Sequence, residues 1–167
     1  DGVSIITNAG LVFHGKTRIG KPGGQGVRII ASGLRPYDSE SGGQIDKRSG
    51  ITVKGQVTAY GLEIRGFTQE AAITMYPGSS LWLYDSKTVL NWHGIKAPDK
   101  NYRTVTADIS INTFRCDFGD SMATFSINLD QRVVLYDEGS RIRTPHLSIF
   151  FHSFPGYDLS LVDGYLA

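Results

Sequence analysis

Three features of this 167-residue sequence predict an all-β solenoid, a single-stranded parallel β-helix of about seven 26-residue coils with a C-terminal cap. The first is an internal near copy: Leu81-Trp82-Leu83-Tyr84-Asp85 is followed 52 residues later by Val133-Val134-Leu135-Tyr136-Asp137. The second is what half that interval selects. Steps of 26 give the pairs Val3/Ile5, Ile29/Ala31, Gly55/Val57, Leu81/Leu83, Ala107/Ile109, Val133/Leu135 and Leu159/Leu161, apolar at every position but Gly55. In a chain only 40% hydrophobic that is far from chance. The spacing of two within each pair puts both side chains on one face of a strand, and the constant step between pairs marks a repeat architecture. The third feature is composition, with 20 glycines, few prolines and abundant β-branched and aromatic residues, the profile of many short strands joined by turns. Coils stacked at the strand spacing of a sheet, about 4.8 Å, make a rod roughly 30 Å long. The alternative is a β-sandwich or jelly roll whose strands recur evenly.

Taken in order, residues 1–19 read as strands, Val3/Ile5 and then Leu11-Val12-Phe13. Lys21-Pro22-Gly23-Gly24-Gln25-Gly26 reads as a turn; it lacks the Gly-Lys-Ser/Thr and the following helix of a phosphate loop. Residues 33–50 are polar and read as a loop leaving one coil. Residues 51–90 form the clearest coil, with Pro77-Gly78-Ser79-Ser80 as the turn before its last strand. Residues 94–104 read as a second loop, and 105–142 repeat the clear coil with Phe114, Cys116, Phe125, Ile127, Val133 and Leu135 inward. Shorter ladders, again 26 apart, support the scheme: Ile64, Leu90, Cys116 and Ile142, and Ala71, Ala97, Ala123 and Ile149. The coils occupy 1–142. The segment 143–167, apolar on both faces from Leu147 to Phe154, reads as the last coil and a cap or subunit-contact segment of the same domain.

Composition also bounds function. Lys+Arg against Asp+Glu is 17 to 16, which gives no polyelectrolyte attraction to nucleic acid or to acidic membranes. No apolar run reaches the 18 residues of a membrane span. Cys116, the single cysteine, excludes an intrachain disulfide and reads as a small buried hydrophobe. The chain begins at Asp1, which suggests a mature product or a fragment. The histidines, His14, His93, His146 and His152, are scattered, so neither a metal site nor any cofactor is expected.

Two constellations carry possible chemistry. Asp137 and Asp163 fall in one register on adjacent coils, with Asp85 two coils from Asp137. Carboxylates about 5 Å apart suit a retaining glycosidase, so Asp137 and Asp163 are the catalytic candidates if the chain is an enzyme. The simpler reading is that an Asp directly after a strand caps a turn. Trp82 and Tyr84, with Tyr136 two coils away, face outward in the same scheme. Outward aromatics on a flat sheet stack on sugar rings or pack against another subunit. Asp117 and Arg143 are one step apart and predict an exposed ion pair.

The coil texture, above all Gly61-Leu-Glu-Ile-Arg-Gly-Phe67, Ala-Ile-Thr-Met and Leu-Trp-Leu-Tyr-Asp, resembles the right-handed parallel β-helix superfamily, which includes pectate-lyase-like enzymes and phage tail spikes and fibres. The resemblance is architectural. The pectinolytic Asn-Thr-Asp and Asp-Asp runs are missing, and Arg143-Thr-Pro145 is followed by Ser148 where the lyases' Arg-x-Pro-x-x-Arg needs arginine, so no catalytic residue carries over. The resemblance implies a non-enzymatic, homotrimeric fibre or spike domain, on a virion or extracellular, attaching to cell-surface polysaccharide. The alternatives are a polysaccharide lyase or glycoside hydrolase, and a purely structural solenoid.

Overall fold

The computed structural model describes residues 1–32, 49–97, 107–128, 132–144, 147–152 and 162–166. These residues form eighteen strands in a repeating order of three, and every pairing is parallel. Sheet A stacks β1 (Val3–Thr7), β4 (Val27–Ala31), β7 (Leu62–Arg65), β10 (Lys87–Val89), β13 (Asp117–Gly119) and β16 (Arg141–Ile142). Sheet B stacks β2 (Leu11–Phe13), β5 (Ile51–Val53), β8 (Ala71–Met75), β11 (His93–Lys96), β14 (Ala123–Asn128) and β17 (Leu147–His152). Sheet C stacks β3 (Lys16–Ile19), β6 (Gln56–Tyr60), β9 (Ser80–Tyr84), β12 (Ile109–Phe114), β15 (Val133–Glu138) and β18 (Val162–Leu166). A strand from each sheet in turn, parallel to the strand one coil earlier, is the winding of a β-solenoid, and no helix occurs among the described residues.

The expected coil is therefore present, but its step is not a constant 26. Gln56 pairs with Ser80, and Ile109 with Val133, steps of 24 residues. In sheet B Ile51 pairs with Ile73, a step of 22. Longer steps also occur: Lys16 to Gln56 is 40 and Ser80 to Ser110 is 30. The constant ladder consequently drifted between sheets. Val3/Ile5 and Ile29/Ala31 lie in sheet A, whereas Leu81/Leu83 and Val133/Leu135 lie in sheet C. Each sheet holds six strands among the described residues, which does not confirm the count of about seven coils. Parity survived the drift, because a run that alternates keeps its inward face wherever its register falls. Ile29, Val57, Leu81, Leu83, Ile109, Val133 and Leu135 are all buried.

The core is the lumen of the coil, filled by stacked columns. In sheet C the column is Val57, Leu81, Ile111 and Leu135; in sheet B it is Ile51, Ile73, Ile95 and Phe125. Cys116 is buried, and its Sγ donates to the Leu83 carbonyl at 3.3 Å. Burial pushes its thiol up to about 11, so it is a neutral thiol at pH 7. Four inward assignments fail. Val3, at the edge of sheet A, and Ala107, just before β12, are exposed. Leu90 is 56% exposed in a corner, and Phe114 points outward from sheet C.

Residues 93–96 belong to β11, so the second predicted loop starts later than expected. The predicted loop residues 33–48 and 98–104 lie outside the described residues, as do 153–161 of the C-terminal segment. β17 and β18 continue sheets B and C as their last strands.

Candidate functional site

The outer faces of the sheets differ in chemistry. On sheet A one column runs Arg28, Glu63, Lys87, Asp117 and Arg141, alternating in sign from coil to coil. Such a column is a solvated face held by exposed ion pairs, for example Arg28–Glu63 at 3.5 Å. The predicted Asp117–Arg143 pair is formed, with Arg143 Nε and Nη2 donating at 2.7 and 2.9 Å. That bidentate contact holds the Asp117 carboxyl below the usual carboxylate range.

Sheet C is aromatic outside. Alternation along β6, β9, β12 and β15 turns out Tyr60, Tyr84, Phe114 and Tyr136. Parallel in-register strands lay Tyr60, Tyr84 and Phe114 over one another, and the rings stack, while Tyr136 meets Phe114 from the neighbouring column. Tyr60 and Tyr84 have centroids 5.0 Å apart at 14°, Tyr84 and Phe114 4.7 Å apart at 7°, and Phe114 meets Tyr136 at 5.6 Å and 47°. The Arg18 guanidinium caps the row 5.8 Å from the Tyr60 centroid. Both faces of Tyr84 are therefore covered by neighbouring rings. It contributes packing, and only its edge meets solvent.

Trp82 stands beside this row, in the column Arg18, Thr58, Trp82, Asn112 and Tyr136. Its neighbours across the ladder are the short Thr58 and Asn112. Asn112 turns its amide to the Leu81 carbonyl and to Ser110 Oγ, at 3.1 and 3.0 Å. The short Thr58 leaves an open groove of about 360 Å³ between β3 and Trp82, bordered by Lys16, Arg18, Gln56, Thr58, Tyr60 and Trp82. That volume is at the lower end of small-ligand pockets. The three predicted aromatics thus share one outer face, but only Trp82 borders the groove.

Asp137 and Asp163 do not share one register. Asp137 lies opposite Leu166, and Asp163 lies opposite Val134, three residues back along β15. Asp137 is buried within the coil and accepts a hydrogen bond from Thr113 Oγ1. Asp85 sits at the corner after β9 and takes Arg115 Nε and Nη2 at 2.9 and 3.2 Å. The single Asp137/Asp163 register expected from the constant step is corrected, because the unequal coil lengths shift the pairing by three residues.

Comparison with family models, with curated proteins and with solved structures finds no match. The site is therefore read from its own chemistry. The residues missed in the sequence are Tyr60, Phe114, Lys16 and Arg18. Tyr60 lies 24 residues before Tyr84, and Phe114 lies 30 after it. A search that allowed unequal coils would have aligned all three rings.

Proposed function

We propose that this chain is a non-enzymatic β-solenoid domain of a viral or phage-type fibre or spike, homotrimeric, carried on a virion or otherwise extracellular, and attaching to cell-surface glycan through the outer face of sheet C. The observation that carries the glycan reading is Trp82, a partly buried indole bordering a groove that also offers the Gln56 amide and the Thr58 hydroxyl. An aromatic face for the C–H side of a sugar ring, with fixed polar groups beside it, is how a concave site takes a carbohydrate. The trimeric state rests on the architectural resemblance and on apolar side chains left exposed in the first coil, Val3, Ile6 and Val12. A hydrolase or lyase built on Asp137 and Asp163 gains no support from a register that sets them apart.

The decisive comparison is Trp82→Ala against Tyr84→Ala on a glycan array and in chemical denaturation. Trp82→Ala keeps the fold and weakens glycan binding by about tenfold or more, the cost of removing a central aromatic contact. Tyr84→Ala loses about 1–3 kcal/mol of stability, because it opens a gap in a ring stack. Wild-type protein that binds no glycan, or binding indifferent to Trp82, would leave the solenoid as a structural spacer.

A further inference from the structure

The groove beside Trp82 is asymmetric in charge. Its outer border is the edge strand β3, from which Lys16 and Arg18 both point outward, two residues apart. Arg18 spends one face on Tyr60 and donates Nε to the Gly20 carbonyl at 3.3 Å, which leaves its Nη groups to other acceptors. Among the described residues neither cation is in an ion pair and no carboxylate borders the groove. The negative groups of this face lie elsewhere. Asp85 is neutralised by Arg115 at the corner, and Glu138, which accepts from the Tyr136 hydroxyl at 3.0 Å, is three coils from β6.

We propose that this groove is the subsite for an anionic sugar residue, one bearing a carboxylate or sulfate, of the glycan held on sheet C. The proposal rests on the glycan reading above and adds the ligand's charge. Trp82 supplies the stacking surface and Gln56 and Thr58 the hydroxyl contacts. Lys16 and the free edge of the Arg18 guanidinium supply charge-assisted hydrogen bonds to the anion. Charged residues on an edge strand also discourage edge-to-edge pairing of sheets. That competing role predicts aggregation of the neutralised variant in place of altered ligand choice.

The test is calorimetric titration with an oligogalacturonate, a chondroitin sulfate oligosaccharide, a cello-oligosaccharide and inorganic polyphosphate. Wild-type, Trp82→Ala and Lys16→Gln/Arg18→Gln proteins are compared at low and at physiological salt, with sizing chromatography of each. The carboxylated or the sulfated sugar is expected to bind about tenfold more tightly than the neutral one at low salt, with the difference shrinking as salt rises. Whichever of the two prevails identifies the anion. Lys16→Gln/Arg18→Gln abolishes that preference while staying unaggregated, and Trp82→Ala weakens every sugar. Equal affinity for the neutral sugar, unaffected by Lys16→Gln/Arg18→Gln but lost in Trp82→Ala, overturns the anionic subsite and leaves the glycan reading standing. Polyphosphate bound as well as the charged sugars, with Trp82 irrelevant, reduces the groove to a general polyanion patch and overturns it too. An aggregated Lys16→Gln/Arg18→Gln protein whose soluble fraction keeps the wild-type preference assigns the cations to edge protection. Binding of no oligosaccharide at all removes the glycan reading itself.

Discussion

Inside the corner between sheets A and B three polar side chains replace the hydrocarbon of the other coils. Asn91 Nδ2 donates to the Ile64 carbonyl at 3.1 Å and to Asp120 Oδ1 at 2.8 Å, its Oδ1 accepts from the Phe67 amide, and Thr88 Oγ1 donates to Asp120 Oδ2 at 2.6 Å. All three are buried. The network ties the backbone of one coil to the side chains of the next two, as buried polar groups must if they are to be satisfied. Burial raises the Asp120 carboxyl above its usual range, against the pull of the Thr88 and Asn91 hydrogen bonds. A carboxyl with a raised folded-state pKa binds protons more readily folded than unfolded. Its contribution therefore becomes less favourable as pH rises from the unfolded value through the raised one. Asp120→Asn can keep its oxygen on Asn91 and donate its amide to Thr88. The expected outcome is stability equal to or above wild type at pH 7 and, relative to wild type, a smaller gain on acidification. Urea unfolding of both proteins at pH 4 and pH 7 measures it. A variant destabilised at both values by the same amount would show that the charge itself is what the network needs.

At the scale of the element, the corners decide whether coils can stack. Just before each of the sheet A strands lies a residue of positive φ, and the column runs Gly2, Gly26, Gly61, Asp85, Arg115 and Gly139. Hydrogen bonds follow it from coil to coil, as from Asp85 N to the Phe114 carbonyl and from Arg115 N to the Glu138 carbonyl, at 2.9 and 2.8 Å. Glycine is the residue for that conformation, and a short polar residue such as aspartate tolerates it. Asp85 was legible as a turn residue from its place after a strand. Leu90 was not. It occupies the next corner at φ 58°, stacked on Gly66 at φ 88°, with 56% of its surface exposed. A leucine in the left-handed region pays strain and, exposed, recovers little by burial. Leu90→Gly is expected to raise stability by about 0.5–1 kcal/mol, read from the denaturation midpoint. A loss of stability would mean that the leucine packs against something its exposure hides.

Over the whole molecule the faces divide the work. Sheet A carries a column of alternating charge suited to water, while sheet C carries rings, an indole and a groove. Light scattering on a sizing column should give three times the chain mass of 18.3 kDa for the proposed trimer. A monomer would sink the trimeric part of the proposal and leave the aromatic face entirely to a ligand. A trimer that dissociates in Trp82→Ala would move that face from glycan attachment to subunit contact, because one surface cannot serve both at once.

The alternation of apolar residues was enough to establish strands, the inward face of most of them and a coiled repeat, because side-chain parity in a strand is a local property of the backbone. Which strands lie on which sheet was decided only by the tertiary structure. Coil lengths differ, and no local signal says how many residues each coil takes. That single unknown separated Asp137 from Asp163, turned Phe114 outward and placed Tyr60 against Tyr84. Stacking then decided the chemistry of the face. It hid the faces of Tyr84 and left Trp82 open beside Thr58, a difference between neighbouring aromatics that is set by what lies one coil away and not by what lies next in the chain.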